Sequence, residues 1–385
     1  MGEGYTPAPP DVSAPLISSE VYVTLASAHA DTTAGAPEQE SVLKTPLKAT
    51  TVLAAVLLLV LTIAAPAQAA TPSTKAPVSG SLRAYNVSGV YVAGVSSGGY
   101  MATQLHVAYS SRIRGAAIFA AGPYYCAQNN VSQAIYGCGD NQYPTNLSAL
   151  QAYTRTWASY GWVDPVSNLS GDPVYVFHGN NDNTVKKSVT DDLVRYYQHF
   201  GANVQYDSAS SAGHAWVSPY GPVGCTATAS PFLNNCGTDP QNSLLRKLLG
   251  SVSAPNTGPL GGTLIRFSQN THAVNGWAPG LSMDDNGFAY VPSSCAAGQS
   301  CRLLVALHGC LQGYGKIGTA FVDRANLNQY ADTNNLIVLY PQASTSSSNP
   351  NGCWDWWGYL GATNYPIKGG AQVETIMNMV RRLDG

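Results

Sequence analysis

Tyr91-Val92-Ala93-Gly94-Val95-Ser96-Ser97-Gly98-Gly99-Tyr100 is the stretch from which the rest of the chain can be organised. β-prone residues run into Gly-x-Ser-x-Gly, and a helical segment, Met101–Ser111, follows at once. A strand, a sharp turn carrying a serine and then a helix make the setting of a nucleophile elbow. Gly94 and Gly98 leave room for neighbouring backbone, so Ser96 can project its hydroxyl above the sheet edge. The helix N-terminus beneath it favours developing negative charge.

The segments around the elbow alternate. Gly115–Ala121 is a near-continuous apolar strand, as expected where both sheet faces are covered. A Tyr/Asn/Gln-rich excursion, 124–146, precedes a helical pattern over Leu147–Tyr160. Val174–Gly179 is a second buried strand, Ser188–Phe200 an amphipathic helix and Asn203–Asp207 a short strand. Ser251–Gly262, rich in Ser, Pro, Gly, Asn and Thr, breaks the pattern. Beyond it the periodicity predicts strands over Thr263–Ser268, Gly287–Pro292, Arg302–His308 and Leu336–Tyr340. Helices are predicted over Ala320–Thr333 and Gly370–Leu383. The alternation indicates an α/β domain with a mostly parallel sheet.

A serine needs a base to act as nucleophile, and the base needs an orienting carboxylate. Asp182 lies just beyond the end of the strand 174–179, where an α/β-hydrolase places its acid. Asp172 precedes that strand, and Asp191 and Asp192 fall on a helix face. Of seven histidines, His29 lies before the export signal described below, His106 and His199 fall on helices, and His178 ends a strand. His272 has no informative setting. His214 stands in a Gly-His loop after the last strand of the first half, the position of the base. The first oxyanion donor is the backbone N–H of Ser97, the residue after the nucleophile.

The second donor normally comes from a His-Gly box after an early strand. Such a box exists, Leu307-His308-Gly309-Cys310-Leu311-Gln312, but far downstream of the serine. A circular permutation accounts for this. Joining the last helix to the elbow strand restores the order box, nucleophile, acid, base, and 251–262 becomes the connection between the former ends. The expected fold is a circularly permuted, single-domain α/β-hydrolase.

The composition sets the environment. The 385 residues carry a net charge of −2, which argues against a nucleic-acid partner. Only 10% are charged, against roughly 25% in an average soluble protein. Tyr, Gly, Ser, Asn and Thr fill the gap, a surface suited to a neutral material or simply to life outside the cell. The eight cysteines lack Cys-x-x-Cys spacing and a histidine cluster, so neither a metal nor a cofactor is expected. Sequence adjacency pairs Cys126 with Cys138, Cys225 with Cys236 and Cys295 with Cys301, leaving Cys310 for Cys353. Disulfides indicate an oxidising compartment. Lys44 and Lys48, the apolar run Val52–Ala65 and Ala67-Gln68-Ala69 read as an export signal, with no membrane anchor left after cleavage. The expected layout is an extension plus signal over 1–69, a tether over 70–81 and one catalytic domain over 82–385. Residues 1–41 are unusual before a signal, and Val42 is an alternative start.

Taken together, the elbow, Gly179-Asn-Asn-Asp-Asn-Thr-Val, Gly213-His-Ala-Trp, the His308-Gly309 box and Cys353-Trp-Asp-Trp-Trp-Gly-Tyr resemble extracellular poly(3-hydroxybutyrate) depolymerases. The likeness is to the circularly permuted single-domain kind and covers roughly residues 82–383. It implies Ser96 as nucleophile, Asp182 as acid, His214 as base, and the amides of Ser97 and Cys310 as the oxyanion hole. It implies a polyester cleft lined by Trp354, Trp356, Trp357 and His308. The substrate would be an insoluble or oligomeric aliphatic polyester, taken by a secreted monomer. Many members carry a separate substrate-binding domain; none is expected here. Feruloyl or acetyl ester hydrolysis is the alternative chemistry. A catalytically silent polymer-binding protein is the alternative from another class. The tryptophans also allow another reading, a core plug beside Cys353, with at least one ring buried and at least one facing substrate.

Overall fold

The computed structural model describes residues 71–385. The signal segment and its cleavage point, within 1–69, lie outside the described residues.

The chain enters through a two-residue strand, β1 (Val78–Ser79), then β2 (Val87–Val95), which ends at the elbow. There follow α1 (Ser97–Ala108), β3 (Ile113–Phe119), α2 (Leu147–Ser159), β4 (Pro173–Phe177), α3 (Lys187–His199) and β5 (Asn203–Asp207). Three short strands, β6 (Trp216–Val217), β7 (Val223–Gly224) and β8 (Leu233–Asn235), make a small separate sheet before α4 (Pro240–Leu249). The second half supplies β9 (Thr263–Ser268), β10 (Asn286–Val291), α5 (Ser293–Ala296), β11 (Cys301–Leu307) and α6 (Tyr314–Ile317). It closes with α7 (Ala320–Arg324), α8 (Leu327–Thr333), β12 (Leu336–Tyr340) and α9 (Ala371–Asp384).

The main sheet has nine strands in the order β1-β9-β10-β12-β11-β2-β3-β4-β5. From β12 to β5 every pairing is parallel, while β10 runs antiparallel to both its neighbours. Both faces are covered, which is why these strands are apolar almost throughout. Val90, Val92, Leu303 and Val305 face a core shared with α1 and α9. Ala93, Val95, Leu304 and Ala306 face another shared with α4, α7 and α8.

At the sheet's centre β11 lies beside β2, with Ala306 opposite Ala93 and Leu307 opposite Gly94. The end of the His-Gly strand therefore meets the end of the elbow strand, although the two are remote in sequence. The last helix returns to the start of β2, where Tyr85 donates its N–H to the carbonyl of Leu383 at 2.8 Å and Arg382 Nε donates to that of Leu82 at 3.0 Å. Joined there and opened at 251–262, the chain would run β9, β10, β11, β12, β2, β3, β4, β5. The connecting stretch is a strap laid on the surface. Ser253 N–H bonds Asn334 Oδ1, and the amides of Gly261 and Gly262 bond the Asp332 carboxylate.

The predicted helix 320–333 is two helices, because Asn326 takes a left-handed conformation (φ 60°) between them. α4 was not anticipated, though its signals are plain in hindsight. Asp239 caps it by accepting from Asn242 N–H, Pro240 occupies the first turn, and Gly250 follows with φ 83°.

Candidate active site

Ser96 has φ 57° and ψ −125°, a conformation that costs a non-glycine residue on the order of 1–3 kcal/mol. Its surroundings hold it there. Its N–H donates to the carbonyl of Phe119 at 2.9 Å, and its own carbonyl accepts from Tyr100 N–H at 3.0 Å. A Cβ on Gly94 would stand 2.1 Å from the carbonyl oxygen of Gly98, and one on Gly98 would stand 2.3 Å from that of Leu307. The two motif glycines are therefore required by backbone crossings and not only by the turn. Among residues 92–100, Ser96 alone keeps access to solvent.

Asp182 and His214 stand together. Asp182, buried beyond the end of β4, accepts on Oδ1 from the amides of Thr184 and Val185, both at 2.9 Å. Its Oδ2 lies 2.7 Å from His214 Nδ1. Burial alone would push this carboxyl up; the neighbouring His214 and the amide of Val185 outweigh it and hold it below its ordinary range. An ionised carboxylate only accepts, so His214 Nδ1 donates, and the lone pair sits on Nε2. Backbone bonds lock the two loops to each other, from Asn181 N–H to the carbonyl of Ala212 and from Asn180 N–H to that of Ser210. Gly213 passes so close to Ala227 that a Cβ would come within 2.3 Å of its oxygen. The Cys225–Cys236 bridge closes that loop.

The competing residues have other duties. Asp172 pairs with buried His106 at 3.2 Å, and Asp191 and Asp192 pair with Lys187 and Arg195 on α3. His178 is buried, with Nδ1 on Thr190 Oγ1 at 3.1 Å.

The His-Gly box presses against the serine, for a Cβ on Gly309 would lie 3.2 Å from that of Ser96. Buried Gln312 fixes the box. Its Oε1 accepts from Gly309 N–H at 2.7 Å, and its Nε2 donates to the carbonyls of Pro231 and Phe232 at 3.0 and 2.8 Å. Among the described residues, neither the Ser97 nor the Cys310 amide donates to a backbone carbonyl. Free amides beside an accessible serine are what a developing oxyanion needs. All four cysteine pairs form as sequence adjacency indicates, and Cys310–Cys353 ties the box to the tryptophan segment. No Ser96–His214 hydrogen bond is present among the described residues; such contacts often tighten only with substrate bound. The described residues contain no metal-binding cluster and no helix long and apolar enough to cross a membrane.

Known proteins decide the family. The chain is 39% identical over 323 residues to the polyhydroxybutyrate depolymerase of Talaromyces funiculosus, covering 78% of this chain and 92% of that one. The chain belongs to the poly(3-hydroxybutyrate) depolymerase family. It is also 41% identical over 298 residues to the poly(3-hydroxybutyrate) depolymerase of Delftia acidovorans, of which it spans only 59%. A depolymerase structure from Penicillium funiculosum superposes with a TM-score of 0.72 at 37% identity, covering 79% of this chain and 99% of that one. A depolymerase with a serine replaced by alanine, complexed with an R3HB trimer, superposes at 0.73 with the same identity and coverage. No protein-family model matches the chain.

Within this family member, two of the expected cleft residues are corrected. His308 and Trp354 are fully buried, and neither can line a cleft. His308 Nε2 accepts from Ala343 N–H at 3.0 Å, so the proton sits on Nδ1, which donates to the carbonyl of Gly309 at 2.7 Å. Burial pushes this imidazole down to about 4, with the Gly309 bond acting the other way. Trp354 donates Nε1–H to the carbonyl of His308 at 3.0 Å and is the core plug beside Cys353. Trp356 and Trp357 remain half-buried, and Trp356 stacks flat on Tyr100 with ring centroids 4.0 Å apart. Sequence reasoning missed Tyr100 and the bracing role of Gln312. Tyr100 sits one helical turn from Ser96, the signal that would have found it.

Proposed function

We propose that the chain is a secreted serine esterase that hydrolyses the ester bonds of poly(3-hydroxybutyrate) or a similar short-chain polyester. The observation that carries this reading is the close approach of Ser96 to the His-Gly box from the opposite half of the chain, alongside a hydrogen-bonded Asp182–His214 pair in the serine's own half. The names of its relatives, one of them seen with an R3HB trimer, support the substrate class.

In this mechanism His214 Nε2 takes the proton of Ser96 Oγ as the oxygen attacks the ester carbonyl carbon. The amides of Ser97 and Cys310 receive the oxyanion. His214 then protonates the leaving alcohol oxygen, leaving an acyl-Ser96 ester. Water, deprotonated by the same imidazole, attacks that ester and releases a 3-hydroxyacid fragment with Ser96 restored. Asp182 stabilises the imidazolium throughout. Trp356 and Trp357 are the remaining candidates for the wall that receives the acyl chain.

The reading includes a circularly permuted domain over 82–385, joined through 251–262, that acts as a monomer. Cleavage after Ala69 delivers it outside the cell. The strand order and the Tyr85–Leu383 contact support the permutation, and the four disulfides support export. Clearing of a poly(3-hydroxybutyrate) suspension, set against release of ferulate or acetate from plant polysaccharide, tests the substrate. Clearing with release of 3-hydroxybutyrate fragments is expected; ferulate or acetate release without clearing would replace this reading.

A further inference from the structure

Asp355 lies between Trp354, which plugs the core under the box, and Trp356, which stacks on Tyr100. It is only 3% exposed. The ion pairs of the described residues do not include it. A carboxylate buried without a cation is costly unless hydrogen bonds replace its water. Here they do. Oδ1 accepts from the amides of Gly358 and Tyr359, both at 2.9 Å, closing the turn that carries Trp356 and Trp357.

The residue's own backbone is fixed from two directions. Its N–H donates to Gln372 Oε1 on α9 at 2.7 Å, and its carbonyl accepts from Gln104 Nε2 on α1 at 3.2 Å. Tyr100, on the same helix as Gln104, is anchored in turn by its hydroxyl bond to the carbonyl of Cys138 at 2.5 Å. The turn is thus clamped onto α1, the helix that follows Ser96, and the Asp355 side chain closes the turn.

We propose that Asp355 is a positioning residue for the polyester's acyl chain. Its carboxylate shapes the 355–359 turn so that Trp356 lies flat on Tyr100 and forms a fixed wall one helical turn from Ser96. This rests on the polyester reading of the site. Asp355 touches no reacting atom, so its effect falls on binding of a substrate long enough to reach the wall. A small activated ester does not need it.

The test compares Asp355→Ala and Asp355→Asn with wild type on the R-3-hydroxybutyrate trimer and on p-nitrophenyl acetate. Asp355→Ala is expected to raise KM for the trimer about tenfold, the scale of one aromatic contact, with kcat within about twofold on either ester. Asp355→Asn, whose amide oxygen still accepts both N–H groups, is expected to restore KM to near wild type. An unchanged trimer KM in Asp355→Ala, or an equal fall of kcat on both esters, overturns the proposal. If wild type turns over the acetate but not the trimer, the polyester reading fails, and near-ultraviolet circular dichroism decides the positioning role by itself. Loss of the aromatic spectrum in Asp355→Ala and its return in Asp355→Asn support that role; a wild-type spectrum in Asp355→Ala refutes it.

Discussion

Truncating Gln312 to alanine probes how the box from one half of the chain is held against the serine from the other. Gln312 is 2% exposed and its side chain makes three hydrogen bonds. Removing it leaves the buried amide of Gly309 without its 2.7 Å acceptor, a loss of about 1–3 kcal/mol. Phe232 fares better, because its carbonyl still receives the N–H of Trp216 at 3.0 Å. The bonds to Pro231 and Phe232 contribute about 1 kcal/mol each at most. Gln312→Ala should therefore cost about 3 kcal/mol of stability, read as a shift in urea unfolding. Deleting an oxyanion donor outright typically lowers kcat by about 10²–10³. In the proposed mechanism the amide of Cys310 is an oxyanion donor that this variant displaces and does not delete, so kcat should fall about 10- to 100-fold with KM little changed. Steady-state hydrolysis of p-nitrophenyl butyrate, at a temperature where the variant is folded, measures this. A folded Gln312→Ala protein with kcat within twofold of wild type would refute the claim that Gln312 sets the oxyanion geometry.

Three other predictions concern the frame of the site. Replacing Cys310 and Cys353 together by serine opens a cross-link spanning 43 residues, which should cost about 4 kcal/mol in chemical unfolding; an unchanged midpoint would show that the box and the tryptophan segment are held together by packing alone. Gly98→Ala sets a Cβ 2.3 Å from the backbone oxygen of Leu307 and should lose about 3 kcal/mol or fail to fold; normal stability would mean that β11 and α1 can part freely. The pH dependence has two opposed contributions. His308, pushed down from 6.5 to about 4, contributes stability that is complete above pH 6.5 and is lost as pH falls toward 4. Asp355, pushed by burial up from 3.8 to about 7, contributes stability that is complete below pH 3.8 and is lost as pH rises through 7. Unfolding of wild type and Asp355→Asn between pH 4 and 8 should show wild type gaining on the variant as pH falls. A difference independent of pH would contradict the burial of that carboxyl.

Most of the fold was legible because its strands are buried on both faces and read as apolar runs between turn signals. Val174–Phe177, Leu336–Tyr340 and Thr263–Ser268 needed no more than periodicity. The small sheet β6–β8 was not legible, since two- and three-residue strands have no period to detect. The break at Asn326 was equally hidden, because a single left-handed residue barely disturbs the apolar pattern around it. At the site, chain order and loop position marked Asp182 and His214, and the structure joins them. The tryptophan segment shows where the reading stops. Trp354, Trp356 and Trp357 are chemically alike in sequence, and only the bond from Trp354 to the carbonyl of His308 and the stack of Trp356 on Tyr100 separate plug from wall. His308 looked like a cleft residue for a similar reason: its neighbour Gly309 does face Ser96, while its own ring turns inward to bond Ala343 and Gly309.

In the proposed mechanism Ser96, served by Asp182 and His214, attacks polyester. The most direct measurement is release of 3-hydroxybutyrate fragments from poly(3-hydroxybutyrate) by wild type and by Ser96→Ala of matched circular dichroism. Fragment release by wild type and a fall of about 10⁴-fold or more in the variant are expected. Release by Ser96→Ala near the wild-type rate would contradict it.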